Sequence, residues 1–261
     1  MRYARDVMPI QATPAKTVLI TGANRGIGQQ VARVLATQGW NVLVGARDRK
    51  KGEATAKRLR DDTGGRVRAV ELDVTSDQSV TTAAQKLRDG AIELDALVNN
   101  AGVYGASSNP AQTLETNFFG PLRTTLAMLP LIVDGGSITN VTSGLGSLSN
   151  LDARPRAELV AITDRDALAA HVRTLAGTNG HGWGTDVYGA SKAALDQLTR
   201  ILARELAPRS IRVNSTDPGW ARTDMGGRGA PRSIEQGGSS VLFGVTTEQT
   251  GGVWRDGKRI D

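Results

Sequence analysis

The sequence predicts an α/β protein built on a doubly wound, largely parallel sheet. Three observations carry that prediction. Short runs of β-branched residues alternate with longer stretches of helical spacing, the pattern left by strands joined through crossover helices. A glycine-rich turn, Gly22 to Gly28, separates the first such run from the first helical stretch, as a tight strand-to-helix turn requires. The 261 residues, 39% hydrophobic and 22% charged, suit one large core and argue against a disordered or fibrous chain.

The elements follow in order. A strand is predicted over Thr17 to Thr21, a helix over Gly26 to Gln38, a strand over Asn41 to Gly45 and a helix over Asp48 to Asp62. Strand Val67 to Leu72, helix Ser76 to Arg88 and strand Ala96 to Asn99 complete two βαβ units back to back. Beyond them come a helix from about Leu114 to Leu129, strand Ser137 to Thr142, helix Tyr188 to Leu206, strand Arg212 to Thr216 and a short strand near Val253. About seven parallel strands fit a single Rossmann-type domain over residues 1–261, with residues 1–15 a loose arm.

One segment breaks this rhythm: 45 positions separate Ser143 from Tyr188, and residues 145–186 read as an insertion. Leu168, Val172 and Leu175 fall on one helical face, predicting an inserted helix before the Tyr188 helix. Thr163 and Asp166 have capping-box spacing in front of it, and Gly177, Gly180, Gly182 and Gly184 loosen its exit. A second glycine-rich stretch, Gly226 to Gly229, reads as a loop before a helix capped by Ser233 with Gln236.

The net charge is +6, but the charges are interspersed. The densest basic run, Arg47-Asp48-Arg49-Lys50-Lys51, holds an acid and opens a predicted helix, which argues against nucleic acid as a partner and for a small anionic ligand. With no cysteine, disulfides, thiolate nucleophiles and cysteine-ligated metals are excluded, and two histidines, His171 and His181, give no metal site. The longest apolar stretch, Leu126 to Val133, has 8 residues including Pro130, far short of the roughly 20 a membrane span needs. The first 16 residues carry no apolar signal core, so a soluble, cytoplasmic protein is expected.

The residues with chemical potential sit at strand ends. In the first turn, Gly22, Asn24, Arg25, Gly26, Ile27 and Gly28 let the backbone approach a pyrophosphate at a helix N-terminus. The second strand ends Ala46-Arg47, where an arginine suits a ribose 2′-phosphate and a carboxylate would suit a 2′-hydroxyl. Arg25 could supply a second positive charge, and either arginine also reads as a solvated surface residue. Asp73, followed by Val74, ends the third strand, placed for an adenine edge or for capping the next helix. Asn99, Ala101 and Gly102 suit a backbone-lined wall at the carboxyl end of the fourth strand. Asn117 stands inside a helix, where asparagine is disfavoured without a polar role.

Ser143 ends the fifth strand. Tyr188 and Lys192 stand four apart on one helix, on one face with Cβ atoms about 5–6 Å apart. An ammonium there is expected to lower the tyrosine pKa toward the range of a general acid. A Tyr-x-x-x-Lys alone is common by chance, as a tyrosine packed over a lysine stem.

Taken in order, Thr21 to Gly28, Asn99 to Gly102, Asn117, Ser143, Tyr188, Lys192 and Pro218-Gly219 resemble the short-chain dehydrogenase/reductase family over nearly the whole chain. Asn24-Arg25, Ala46-Arg47-Asp48, the segment Pro218 to Met225 and the long insertion are similar to its NADPH-dependent carbonyl reductase group. Most of the family has far fewer residues between the serine and the tyrosine, so the insertion departs from the general pattern while matching that group. The resemblance implies NADPH as cofactor, Tyr188 as proton donor to a carbonyl oxygen, and Ser143 as hydrogen-bond donor to it. It implies that Lys192 lowers the tyrosine pKa and holds the nicotinamide ribose, that Asn117 positions a relay water, and that Pro218, Gly219 and Thr223 border the nicotinamide and phosphates.

Leu145, Trp183, Trp220 and Met225, apolar and adjacent to these motifs, read as a pocket for a hydrophobic ketone, aldehyde or quinone, or as packing. Two alternatives stand beside this: a non-catalytic NADPH-sensing protein, and a family member acting on a sugar, steroid or acyl substrate. The insertion is expected to cover the usual pairing helix and leave a monomer; the alternative is a lid over the site that leaves the pairing face free.

Overall fold

The computed structural model describes residues 15–104, 109–177 and 182–261. The expected arm at residues 1–15 therefore lies, but for Ala15, outside the described residues, as do Gly180 and His181. The first half alternates strand and helix: β1 (Thr17–Ile20), α1 (Gly26–Thr37), β2 (Asn41–Ala46), α2 (Arg49–Thr63), β3 (Arg66–Glu71), α3 (Asp77–Asp89) and β4 (Leu94–Asn99). A longer helical stretch follows, α4 (Pro110–Leu114), one π-helical turn (Glu115–Phe119) and α5 (Gly120–Met128), leading into β5 (Ile132–Val141). The second half holds α6 (Ala153–Ala161), α7 (Arg165–Arg173), α8 (Val187–Glu205), β6 (Arg212–Thr216), α9 (Ile234–Thr246), β7 (Val253–Arg255) and β8 (Lys258–Arg259).

The strands form one sheet in the order β3-β2-β1-β4-β5-β6-β7-β8. Seven run parallel, as expected, and β8 is an eighth, antiparallel strand. The correction has a local cause: Asp256 and Gly257, both at positive φ (51° and 75°), join β7 to β8, the two-residue turn that an Asp-Gly pair favours between antiparallel strands. The order reverses direction between β1 and β4, opening a crevice at the carboxyl ends of the strands.

Alternation along the strands divides the core. Val18 and Ile20 of β1 pack with Val31, Leu35, Leu59 and Val241 beneath α1, α2 and α9, whereas Leu19 joins Phe118, Leu122, Leu195 and Leu198 on the face covered by α3, α5 and α8. A fully buried leucine or isoleucine contributes about 1.5–3 kcal/mol relative to exposure. No helix among the described residues is long and apolar enough to cross a membrane.

Between β5 and α8 the chain forms two helices rather than the expected one. Leu168, Val172 and Leu175 are buried, and so is Leu159 of the unforeseen α6. The short α6, with Pro155 in its first turn, offers too few apolar positions to show helical periodicity in sequence. The cap of α7 is Asp164, whose side chain accepts from Ala167 N at 2.7 Å, and not a Thr163/Asp166 box; an Asp placed three residues before that free N–H competes better than Thr163. Both helices lie on α8, with Gln197 Nε2 donating to Ile162 O at 2.7 Å and Arg165 pairing with Glu205 at 2.8 Å.

Candidate active site

The turn after β1 is closed by glycine conformations and by β4. Gly22 and Gly26 hold positive φ (63° and 57°), and a Cβ on Gly22 would sit 2.9 Å from Ala101 Cα. Asn100 Nδ2 donates to Thr21 O at 2.9 Å and Gly22 O at 3.2 Å, while the backbone N–H groups of Asn100 and Ala101 both donate to Thr21 Oγ1 at 3.0 Å. These bonds bring the turn and the Asn99–Gly102 segment together. The start of α1 has no side-chain cap and no acid in its first turn, which leaves backbone N–H groups and the positive end of the helix dipole for an anion.

Thr223 closes over this turn, its Cγ2 being 3.4 Å from where a Gly26 Cβ would lie. Beside it Arg25 Nη1 meets Asp224 Oδ2 at 2.7 Å, a pair largely exposed to solvent and hence of small intrinsic worth. Arg47 is exposed after β2. Asp73 locks its own turn, Oδ1 accepting from Thr75 N at 2.9 Å and Thr75 Oγ1 at 2.7 Å, and the cap of α3 is Ser76. Val74 is buried, with its carbonyl accepting from Arg123 Nη1 at 2.7 Å. The Asn99 side chain turns away from the crevice, donating to Thr125 Oγ1 at 3.0 Å and Asn140 Oδ1 at 2.9 Å in a buried polar seam.

The four residues with acid–base chemistry converge. α8 is capped by Asp186, which accepts from Gly189 N at 2.8 Å and sets Tyr188 in the first turn. The Ser143 side chain stands beside the Tyr188 hydroxyl and favours its ionised form. Lys192 is buried, Nζ donating to Val141 O at 2.8 Å and lying 5.7 Å from the centre of the Tyr188 ring. Asn117, wholly buried in the π-helical turn, accepts from Val103 N at 2.9 Å and donates to Val103 O at 3.0 Å and Ser191 Oγ at 3.2 Å. Such single π turns recur at functional sites, and here the turn carries Asn117 against Gly102, whose missing Cβ would lie 3.3 Å from Asn117 Oδ1 and 3.8 Å from Lys192 Nζ.

Electrostatics correct one expectation. Burial pushes the Tyr188 phenol up to about 12 rather than down, with the neighbouring Ser143 hydroxyl opposing. Burial of Lys192 pulls its ammonium down to about 8. Desolvation of the phenolate is the largest influence on Tyr188, and Lys192 Nζ, bonded to Val141 O, lies 5.7 Å from the ring centre. Of the expected pocket residues, Leu145, Trp220 and Met225 are exposed at the site's margin, at 46%, 61% and 47%. Trp183 is not with them: it is 7% exposed, in the core, its ring 5.5 Å from that of His171. An apolar side chain close in sequence to Tyr188 reads as pocket, whereas the structure buries the indole in the core beside His171 of α7. Sequence reasoning missed Tyr104, half-exposed, whose ring packs edge-on to Tyr188 at 4.5 Å; its place just after Gly102 was the available signal.

A family model described as short chain dehydrogenase matches residues 16–153, and one described as Enoyl-(Acyl carrier protein) reductase matches residues 170–242. The chain is 34% identical over 249 residues to carbonyl reductase (NADPH) 1 of Sus scrofa, covering 87% of this chain and 86% of that protein. It is 33% identical over 242 residues to the short-chain dehydrogenase anuI of Penicillium roqueforti, covering 88% of each. Among solved structures, salutaridine reductase from Papaver somniferum superposes with a TM-score of 0.83 at 23% identity, over 92% of this chain and 99% of that one. An NADPH-bound carbonyl reductase from chicken fatty liver superposes with a TM-score of 0.72 at 24% identity, over 94% and 98%.

Proposed function

The chain belongs to the short-chain dehydrogenase family, and from that premise we propose that it is an NADPH-dependent carbonyl reductase in which Tyr188 gives the proton to the carbonyl oxygen. The observation that carries the reading is the Ser143 side chain beside Tyr188 with buried Lys192 behind them, set at the strand ends next to an uncapped, glycine-lined helix start. That donor set fits a dinucleotide. The α1 amides meet the pyrophosphate, Arg47 and Arg25 the 2′-phosphate, and no carboxylate stands at the end of β2 to favour a 2′-hydroxyl. Bound there, the cofactor supplies the hydride.

The side chains divide the remaining work. With its pKa at about 12, Tyr188 carries its proton at neutral pH, the form a reductase needs. Ser143 orients the carbonyl oxygen. Lys192 holds the ribose and lends positive charge once tyrosinate forms, and Asn117 orders water behind it. Leu145, Trp220 and Met225, joined by Tyr104, offer an apolar, aromatic margin that suits a hydrophobic ketone, aldehyde or quinone. The coverage of α8 by α6 and α7 supports a monomer. The test is NADPH consumption across ketones, aldehydes and quinones: turnover with apolar carbonyls is expected, and NADPH binding without turnover on any of them would make the protein a sensor instead.

A further inference from the structure

Ser143 leaves β5 and caps a single 3-10 turn over Gly144–Gly146, its Oγ accepting from Leu145 N at 3.3 Å. A serine hydroxyl offers two acceptor positions and one hydrogen, so a bond that fills an acceptor position leaves the hydrogen for a substrate oxygen. That arrangement depends on where Leu145 N sits. The backbone bonds of the turn run from Gly146 N to Ser143 O at 2.8 Å and from Ser147 N to Gly144 O at 3.2 Å.

The turn is pressed onto α8. A Cβ on Gly146 would lie 2.6 Å from Lys192 Cβ, and one on Gly189, the residue after Tyr188, would lie 2.9 Å from Leu145 O. From the insertion it is reached by Asn150, whose Nδ2 donates to Gly144 O at 3.0 Å and to Leu145 O at 3.3 Å. Both hydrogens of the amide are then in use. Leu145 O thus touches α8 and the insertion together. The backbone of Asn150 is fixed in turn, its N donating to Ser147 O at 2.9 Å. Two residues on, Asp152 N donates to Trp183 O at 2.9 Å, shortly before Tyr188, so the segment from Asn150 to Asp152 ties the Ser143 turn to the lead-in of the tyrosine helix. Asn150 is exposed. With water as an alternative partner its bonds add little to global stability, and their effect is local, on the position of the turn.

We propose that Asn150 is a positioning residue: from the head of the insertion it holds the carbonyls of Gly144 and Leu145, keeps Leu145 N on Ser143 Oγ, and leaves the Ser143 hydrogen for the carbonyl oxygen of the substrate. It touches no reacting atom and acts through Ser143. The inference rests on the reading of Ser143 as hydrogen-bond donor to the substrate, so its test has one arm in turnover and one outside it.

The turnover arm is a double-mutant cycle of Asn150→Ala with Ser143→Ala. It is read as single-turnover NADPH oxidation by excess protein, with the ketone, aldehyde or quinone that the wild type reduces fastest. Asn150→Ala is expected to lower the rate about tenfold while the NADPH dissociation constant stays within about twofold of wild type. In the Ser143→Ala background it is expected to cost less than about twofold, because the group it acts through is gone. An unchanged rate in Asn150→Ala, or the same loss in both backgrounds, overturns the proposal. The second arm is amide hydrogen exchange, read by NMR in the cofactor-free protein. Exchange at Leu145, Gly146 and Ser147 is expected to accelerate about tenfold in Asn150→Ala while the amides of β1 keep their wild-type rates. Unchanged exchange at the turn, or acceleration in β1 as well, overturns the proposal. Should Asn150→Ala not fold, Asn150→Ser, too short to reach either carbonyl, carries the same expectations. Wild-type protein that binds NADPH and reduces no carbonyl defeats the reductase reading, and exchange alone then decides whether Asn150 holds the turn.

Discussion

At Tyr188 one oxygen carries the proposed chemistry. Tyr188→Phe removes the hydroxyl beside Ser143 and leaves the ring against Tyr104, so cofactor affinity and fold are expected to persist while kcat falls by about 10² to 10⁴; a kinetic assay beside cofactor titration checks this. Exposed Arg47 is argued by charge alone. Arg47→Asp is expected to erase or reverse a preference for NADPH over NADH, a change of at least about tenfold in the ratio of dissociation constants, or ~1.4 kcal/mol. Asp196, one turn along α8 from Lys192, is buried, and burial pushes its carboxyl up to about 7 despite the Ser215 and Thr142 hydroxyls beside it. Because the folded protein holds this proton more tightly than the unfolded chain, its contribution is fully present below the ordinary carboxylate pKa of about 4 and is lost as pH rises toward 7. Urea unfolding of wild type against Asp196→Asn is therefore expected to show the stability difference shifting in favour of the variant across that window. Residues of this kind divide by legibility. Ser143, Tyr188 and Lys192 carry spacing that points to one face or one strand end, whereas Asn150 and Tyr104 have no local pattern, and only the fold brings them to the Ser143 turn and the Tyr188 ring.

The helices and strands themselves were readable wherever burial is one-sided. The β-branched runs of β1, β2 and β4 and the capped starts of α2, α3 and α9 stand within a few residues of their predicted bounds, because alternation and caps are local signals. Where partners lie far off in sequence the reading thinned. α6 is short and mixed, with Pro155 and Leu159 buried. β8 has two exposed residues and exists through an Asp-Gly turn and pairing with β7, a signal that was present at Asp256-Gly257. The insertion is nonetheless tied in by apolar contact: Leu168 of α7 is wholly buried. Leu168→Ala is expected to cost about 2–4 kcal/mol, read as a lowered midpoint in urea with an unchanged slope. A loss below about 0.5 kcal/mol would mean that α7 does not hold its place on α8 in solution.

For the whole molecule, every residue of α8 from Gly189 to Thr199 is buried, and α6 and α7 supply part of that cover through Gln197 and the Arg165–Glu205 pair. A free α8 face that could pair with a second copy is thus already packed, and light scattering on a sizing column is expected to give about 27.5 kDa at micromolar concentration; a stable dimer would overturn the assignment of that face. The strand order has a different consequence, for how the chain reaches this state. β1 lies between β2, its neighbour in sequence, and β4, whose Ala96 pairs with Val18, so one edge of the first strand stays unpaired until the chain through Asn99 is available. The same closure zips Asn100 onto the Thr21–Gly22 turn. Loop closure over such separations slows folding, which makes the glycine turn the late-forming part of the first half: a nascent chain that stops short of β4 would have its helices and two or three strands yet present an open, apolar strand edge where the finished protein has a crevice.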